Sequence, residues 1–190
     1  FTTDGELGVR TDTIDRLTVS TDLNVRSQSA DTRYIHMIQL FLSLDRLPGN
    51  CAVQQSGPTY IDLQIRLSDP GVENTYDGYE ETNVPLAGYT WNIDRRTQQD
   101  GNAGDNRFMH TYFLTEPPED GDVESFDDLD LVPLIEHIIA AENELFGYDQ
   151  DYRWFCEVST MLEPIAGVFD VSYDLEVEYG GQVYGASVAQ

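Results

Sequence analysis

Alternation with a period of two runs through most of the chain. In residues 16–26, RLTVSTDLNVR, Leu17, Val19, Thr21, Leu23 and Val25 fall on one side, and Arg16, Thr18, Ser20, Asp22, Asn24 and Arg26 on the other. Residues 59–68, TYIDLQIRLS, set Ile61, Leu63, Ile65 and Leu67 against Asp62, Gln64, Arg66 and Ser68. Residues 167–180 set Phe169, Val171, Tyr173, Leu175, Val177 and Tyr179 against Asp170, Ser172, Asp174, Glu176 and Glu178. Each pattern predicts a strand with one face on a core and the other in solvent, as in antiparallel sheets. Residues 33–44 and 107–115 are apolar on both sides and predict more deeply buried strands. Residues 87–95, residues 152–162 and the terminal QVYGASVA bring the expected number to about eight, and a short ninth fits near residues 5–11.

One segment changes period. Leu131, Leu134, Ile135, Ile138, Ala141 and Leu145 follow helical spacing,. Gly147 supplies a C-terminal stop, and Pro133 is tolerated only in a first turn. The helix is therefore expected over about 130–146, with Asp130 as its N-cap and Asp127, Asp128 and Asp130 near the positive end of its dipole. The expected fold is all-β: an antiparallel β-sandwich or jelly roll of about eight strands with one inserted α-helix, in a single domain over 1–190. An immunoglobulin-like sandwich is the second choice.

Charge adds a habitat to this picture. The chain carries 35 acidic and 10 basic residues, a formal net charge of −25, and every basic residue is Arg. Such a balance with few aromatics would indicate disorder, but aromatics make up 11% and sit inside the alternating segments. The remaining explanation is a folded protein from a very salty medium. There the Debye length falls to about 3 Å, and self-repulsion ceases to oppose a compact state. Eight carboxylates crowd between Glu116 and Asp130. Glu116–Glu124 reads as a solvated connector, and Asp127–Asp130 as the lead-in to the helix. Nucleic-acid binding is disfavoured because phosphate contacts need clustered cations, and Arg95-Arg96 is the one adjacent basic pair. No apolar run reaches the eighteen or so residues that a membrane-spanning helix requires.

Candidate chemistry is sparse. His36 and His110 lie inside apolar strands and His137 on the helix, without the spacing of a zinc site, so all three read as core or near-core residues,. Nucleophile-elbow, P-loop and dinucleotide motifs are missing. Carboxylate pairs of the glycosidase kind exist in principle, but 35 candidates single out none. The segment from Asp120 has acidic residues at positions one, three and five of a calcium loop; it lacks the Gly at six and has Leu131 where Glu is needed. DGNAGD at 100–105 is a single Gly- and Asp-rich loop. Both loops read as solvated. Tyr76, Tyr79, Tyr148 and Tyr152 sit in polar loops, either pinning them to the domain edge or serving an interface. Cys51 and Cys156 read as buried free thiols more readily than as a pair. No catalytic, cofactor-binding or metal-binding residue is assigned, no cofactor is implied, and the expectation is a protein without enzymatic activity.

Three stretches, DLNVRS, YIDLQIRLSDP and VSYDLEVEYGGQVYGASVAQ, carry a resemblance in strand rhythm and composition. With them the chain resembles the major capsid proteins of haloarchaeal icosahedral viruses with an internal membrane, which are acidic, of similar size and built on single upright jelly rolls. The resemblance implies the smaller of two capsid proteins, located in the virion and assembling with itself and a related protein into capsomers, near an internal viral membrane and at high salt. It transfers no residue role. Another virion component (spike, vertex or tail) is one alternative, and an extracellular carbohydrate- or calcium-binding β-sandwich module of a halophile is another. An enzyme on a cupin-like jelly roll fits least, since the three histidines are scattered.

Overall fold

A computed structural model of the chain describes residues 9–44, 60–68, 79–99, 106–114 and 126–189. In chain order it contains β1 (Val9–Arg10), a 3-10 turn (Thr11–Thr13), β2 (Leu17–Gln28), β3 (Arg33–Ser43), β4 (Tyr60–Ser68), β5 (Glu81–Leu86), β6 (Tyr89–Gln99) and β7 (Asn106–Leu114). It continues with β8 (Phe126–Asp130), α1 (Val132–Phe146), β9 (Trp154–Ala166), β10 (Phe169–Tyr179) and β11 (Gln182–Ala189). Two sheets form: one of seven strands in the order β1-β9-β3-β4-β7-β6-β5, and one of four in the order β11-β10-β2-β8. The fold is a β-sandwich jelly roll with a single helix. Pairing is antiparallel except between β4 and β7, which run parallel.

The alternating residues do what their period dictates. Leu17, Val19 and Leu23 of β2 and Val171, Leu175 and Val177 of β10 point inward from the small sheet. Ile38, Leu40 and Leu42 of β3 meet Ile65, Leu63 and Ile61 of β4 in register and point inward from the large one. Trp91, Ile93 and Tyr112 extend this core along β6 and β7, where Leu134, Ile135 and Ile138 of α1 lie against it. Burying a side chain of this size stabilises by roughly 1.5–3 kcal/mol, so the two apolar faces and the helix stripe hold one another.

Local chemistry fixes the connections. Gly147 closes α1 in the left-handed conformation (φ 71°), its N–H reaching Asn143 O at 2.8 Å. Gly167 sits between β9 and β10 at φ +84°, where a Cβ would stand 2.5 Å from Thr32 Cα. That contact holds the β2–β3 turn to the β9–β10 turn, where Ser29 N and Thr32 Oγ1 both donate to Val168 O. The start of the helix differs from the expectation. Asp127–Asp130 belong to β8, paired with β2, and Leu131 occupies the cap position. Asp130 still accepts the first helical N–H, from Val132 at 3.0 Å, but does so from the end of a strand. Two more strands, β5 and β8, form where no strand was expected. Glu116–Glu124 lies outside the described residues.

A buried ion pair locks α1 to β9. Arg153 is fully buried. Its Nε and Nη2 both donate to Glu142 Oε2 at 2.6 Å, Nη1 donates to Gln150 O and Tyr152 O, and Nη2 donates to Asn143 Oδ1. The Arg153 backbone N–H is taken by Thr11 Oγ1 at 2.9 Å. Burial pushes the Glu142 carboxyl up, against the pull of the guanidinium beside it. Cys156, three residues further along β9, is disulfide-bonded, which overturns the expected free thiols. The chain's other cysteine, Cys51, lies outside the described residues.

Truncating one partner of the Arg153–Glu142 pair leaves the other charge buried. Glu142→Leu is therefore expected to cost about 3–5 kcal/mol in urea unfolding. Adding Arg153→Met should recover much of that loss, a non-additivity that a double-mutant cycle reads directly. A second outcome concerns the small sheet, where exposed Asp22 and Asp174 stand directly opposite in register. Like charges so placed repel, so Asp174→Asn should raise the melting temperature in dilute buffer. The gain should vanish in molar salt, where the screening length is about 3 Å.

Candidate functional site

The large sheet has a second face, turned away from the core, and its polar residues cluster there. On β3, whose inward residues are Ile38, Leu40 and Leu42, the opposite face carries Met37, Gln39, Phe41 and Ser43. Pairing extends these positions sideways into rows. Phe41 stands between Glu157 of β9 and Asp62 of β4. Gln39 stands between Ser159 and Gln64, and that row runs on through Thr111 of β7 to Asp94 of β6. Met37 stands between Met161 and Arg66, followed by Phe113 and Asn92.

The middle of this face is withdrawn from solvent. Asp62 is 0% exposed, Asp94 5% and Gln64 7%, although β4 alone reads as a strand with a wet polar side. A buried carboxylate needs hydrogen-bond donors to remain charged. Asp62 has them: Gln39 Nε2 donates to Oδ1 at 2.9 Å and to Oδ2 at 3.1 Å, and Gln64 Nε2 donates to Oδ2 at 3.3 Å. Glu157, in the same row, is half-buried. Two strand spacings of about 4.8 Å separate the backbones of Asp62 and Glu157, roughly 10 Å in all. Two carboxyl residues therefore share one row, with an amide- and hydroxyl-bearing row beside it. That arrangement can protonate a leaving oxygen from one side while a carboxylate acts from the other. Periodicity placed Asp62, Gln64 and Arg66 on one side of a strand; the pairing with Glu157, 95 residues later, has no signal in the sequence.

The residues considered for chemistry fall elsewhere. His36 Nε2 meets Thr160 Oγ1 at 3.1 Å. Because Thr160 Oγ1 donates to Met37 O, His36 Nε2 supplies the proton of this contact, and burial pulls the ring's pKa down to about 4, which keeps it neutral. Burial, first, and then the Arg95 and His137 charges hold His110 well below the usual range. His137 Nδ1 lies 3.0 Å from the Tyr112 hydroxyl and Nε2 lies 3.3 Å from Glu81 Oε2, joining α1 to β7 and β5. Burial and Arg95 lower its pKa too. None of the three contributes to the carboxylate rows. Among the described residues no group of three or more His, Cys, Asp or Glu is placed to hold a metal ion. The loops at 100–105 and from Asp120 to Glu124 lie outside the described residues, as does Tyr76. Tyr79 packs on Phe113 at 5.5 Å, Tyr152 lies 3.7 Å under the Arg10 guanidinium, and Tyr148 packs on Phe146 at 5.7 Å. Among the described residues no helix is long and apolar enough to cross a membrane.

The fold is similar to that of solved glycoside hydrolase family 12 enzymes. A thermostable cellulase derived from that of Rhodothermus marinus superposes with a TM-score of 0.64 at 18% identity, over 100% of this chain and 71% of that one. A metagenome-derived family 12 endoglucanase gives 0.65 at 20% identity, over 99% and 68%. A family 12 xyloglucanase from Bacillus licheniformis gives 0.61 at 12% identity, over 96% and 66%. At these identities the likeness is one of fold. No protein-family model matches the chain, and neither does any curated protein.

These neighbours overturn the capsid resemblance and what it implied. Capsid partners, a location in the virion and a place among virion structural proteins all fall with it. The expectation of a protein without enzymatic activity falls as well. The reason is physical: alternation and acidity describe any solvated jelly roll and do not single out a capsid subunit.

The histidines make stability fall with acid. His36 is neutral in the fold, with a pKa of about 4 against 6.5 when free. The stabilisation is complete above pH 6.5 and is lost as pH drops from there through about 4, because the unfolded chain takes the proton first. That window is worth about 3 kcal/mol for His36 alone. Urea unfolding at pH 7 and pH 4 should show His36→Gln losing about that much less than the wild type between the two.

Proposed function

We propose that the chain is a carbohydrate-active jelly roll that works as one domain, binds a β-linked glucan along the polar face of its large sheet, and hydrolyses it with Asp62 and Glu157. The observation that carries this reading is the single row in which Phe41 separates the two carboxyl residues. In support, the neighbours named cellulase, endoglucanase and xyloglucanase share the same architecture. Asp62, held by two amides, is the carboxylate that stays ionised and acts on the anomeric carbon or on the attacking water. Glu157, half-buried and free of such donors among the described residues, delivers a proton to the leaving oxygen. The proton returns to the pair from the water that cleaves the bond, so the cycle closes without a cofactor. The disulfide at Cys156 suits an oxidising, extracellular setting, where polymeric glucans are met,.

One observation favours binding without cleavage: Asp62 is 0% exposed, and a nucleophile or base must reach its substrate. The two readings separate in one experiment. Reducing ends released from barley β-glucan and xyloglucan are measured for the wild type, Asp62→Asn and Glu157→Gln, with retardation of each protein in gels containing the same polymers. The expected result is release by the wild type and a drop of at least about 100-fold in each variant, with retardation kept. Retardation without release supports the binding module and removes the hydrolase. Neither retardation nor release overturns both.

A further inference from the structure

We propose that Gln39 and Gln64 are the positioning residues of this carboxylate, fixing the plane of Asp62 and holding it in its charged form; the inference rests on the hydrolase reading for its role in turnover. The geometry is specific. Gln39 and Gln64 face each other across the β3–β4 pair, one row from Asp62. The Gln39 amide bridges both carboxylate oxygens, at 2.9 and 3.1 Å, and Gln64 adds a second donor to Oδ2 at 3.3 Å. Turned the other way, either amide would set its oxygen against a carboxylate oxygen, so the nitrogen ends are the ones that face Asp62.

An ionised carboxylate only accepts hydrogen bonds, and here it accepts from both glutamines. Protonation would convert one oxygen into a donor pointing at amide N–H groups and would waste a bond. The two glutamines thus oppose the effect of burial, which by itself would protonate Asp62. They do so without adding charge, which a Lys or Arg at either position would do. The charged groups sharing this face are Glu157 and Glu163 on β9, Arg66 on β4 itself and Asp94 on β6. The glutamates and Asp94 disfavour a second negative charge, Arg66 favours it, and neither prevents the amides from setting the balance locally. Gln39 is also the half-exposed member of the set, while Asp62 and Gln64 are buried. It is therefore the residue through which a bound sugar would sense the state of Asp62, since its amide oxygen is turned away from the carboxylate.

The test is a 13C NMR titration of the Asp62 carboxyl in the full chain, beside the pH profile of kcat/KM on β-glucan. Gln39→Leu removes the bridging donor and should raise the Asp62 midpoint by about one pH unit or more, a tenfold change in its ionisation. The acid limb of kcat/KM should move up with it. Activity near pH 5 then falls about tenfold, while activity above pH 8 changes little. Gln64→Leu, which removes one longer bond, should shift the midpoint in the same direction by less, and it serves where Gln39→Leu does not fold. Midpoints unchanged in both variants, or a rate loss equal at every pH, overturn the positioning role. A shifted midpoint in a chain that hydrolyses no glucan leaves the clamp standing and removes the hydrolase reading alone. Hydrolysis with unshifted midpoints does the reverse.

Discussion

Everything on the polar face depends on β3 being paired on both edges. β4 follows it in the chain and lies along one edge; β9, more than a hundred residues later, lies along the other. A strand buried on both faces tolerates no slip, since moving by one residue would turn Ile38, Leu40 and Leu42 out of the core and Gln39 into it. The apolar side of β3 therefore sets the register of its polar side. Glu157 and Asp62 share a row because Leu40 must meet both Val158 and Leu63.

The distant partner has to be delivered to that edge at the right height. Helix α1 and the Arg153 cluster do this. The helix packs its apolar stripe into the core, and towards its C-terminal end it presents Glu142 and Asn143 to Arg153. Arg153 lies immediately before β9, so the ion pair fixes where that strand begins. The Thr11 contact sets the short edge strand β1 beside it. The register shift between Phe41 and Leu42 then places Phe155 inward and leaves Glu157 on the polar side. A buried ion pair contributes little net stability compared with apolar packing. Its value here is positional: five donor contacts from one guanidinium define one geometry.

Much of the sandwich is legible from period alone. The strands at 16–26, 59–68 and 167–180, the helix and the closing QVYGASVA lie within a residue or three of their expected bounds, because half-buried strands and amphipathic helices declare themselves through side-chain spacing. β5 and β8 escape for a physical reason. ETNVPL and FDDLD are short and polar, they become strands through their partners β6 and β2, and each is interrupted by a residue at positive φ, Asn83 or Asp128. The candidate site escapes more completely. Alternation says that Asp62 and Gln64 lie opposite Leu63; it cannot say that their side is buried. Nor can it say that Glu157 arrives there, because strand order is a long-range property. A single covalent clue, the pairing state of Cys156, is equally invisible in composition.

Acidity is a weaker guide to function than it first looks, because the charge and the candidate chemistry occupy different surfaces. On β10 of the small sheet, Asp170, Asp174 and Glu176 face outward and exposed, with Asp22 and Asn24 beside them on β2. The carboxylates among them repel one another in water. On the large sheet Asp62 is withdrawn and matched to amide donors. A carboxylate that costs several kcal/mol to bury without partners is retained only where neighbours are arranged around it. Asp62, among 35 acidic residues, is distinguished by that arrangement and not by its abundance.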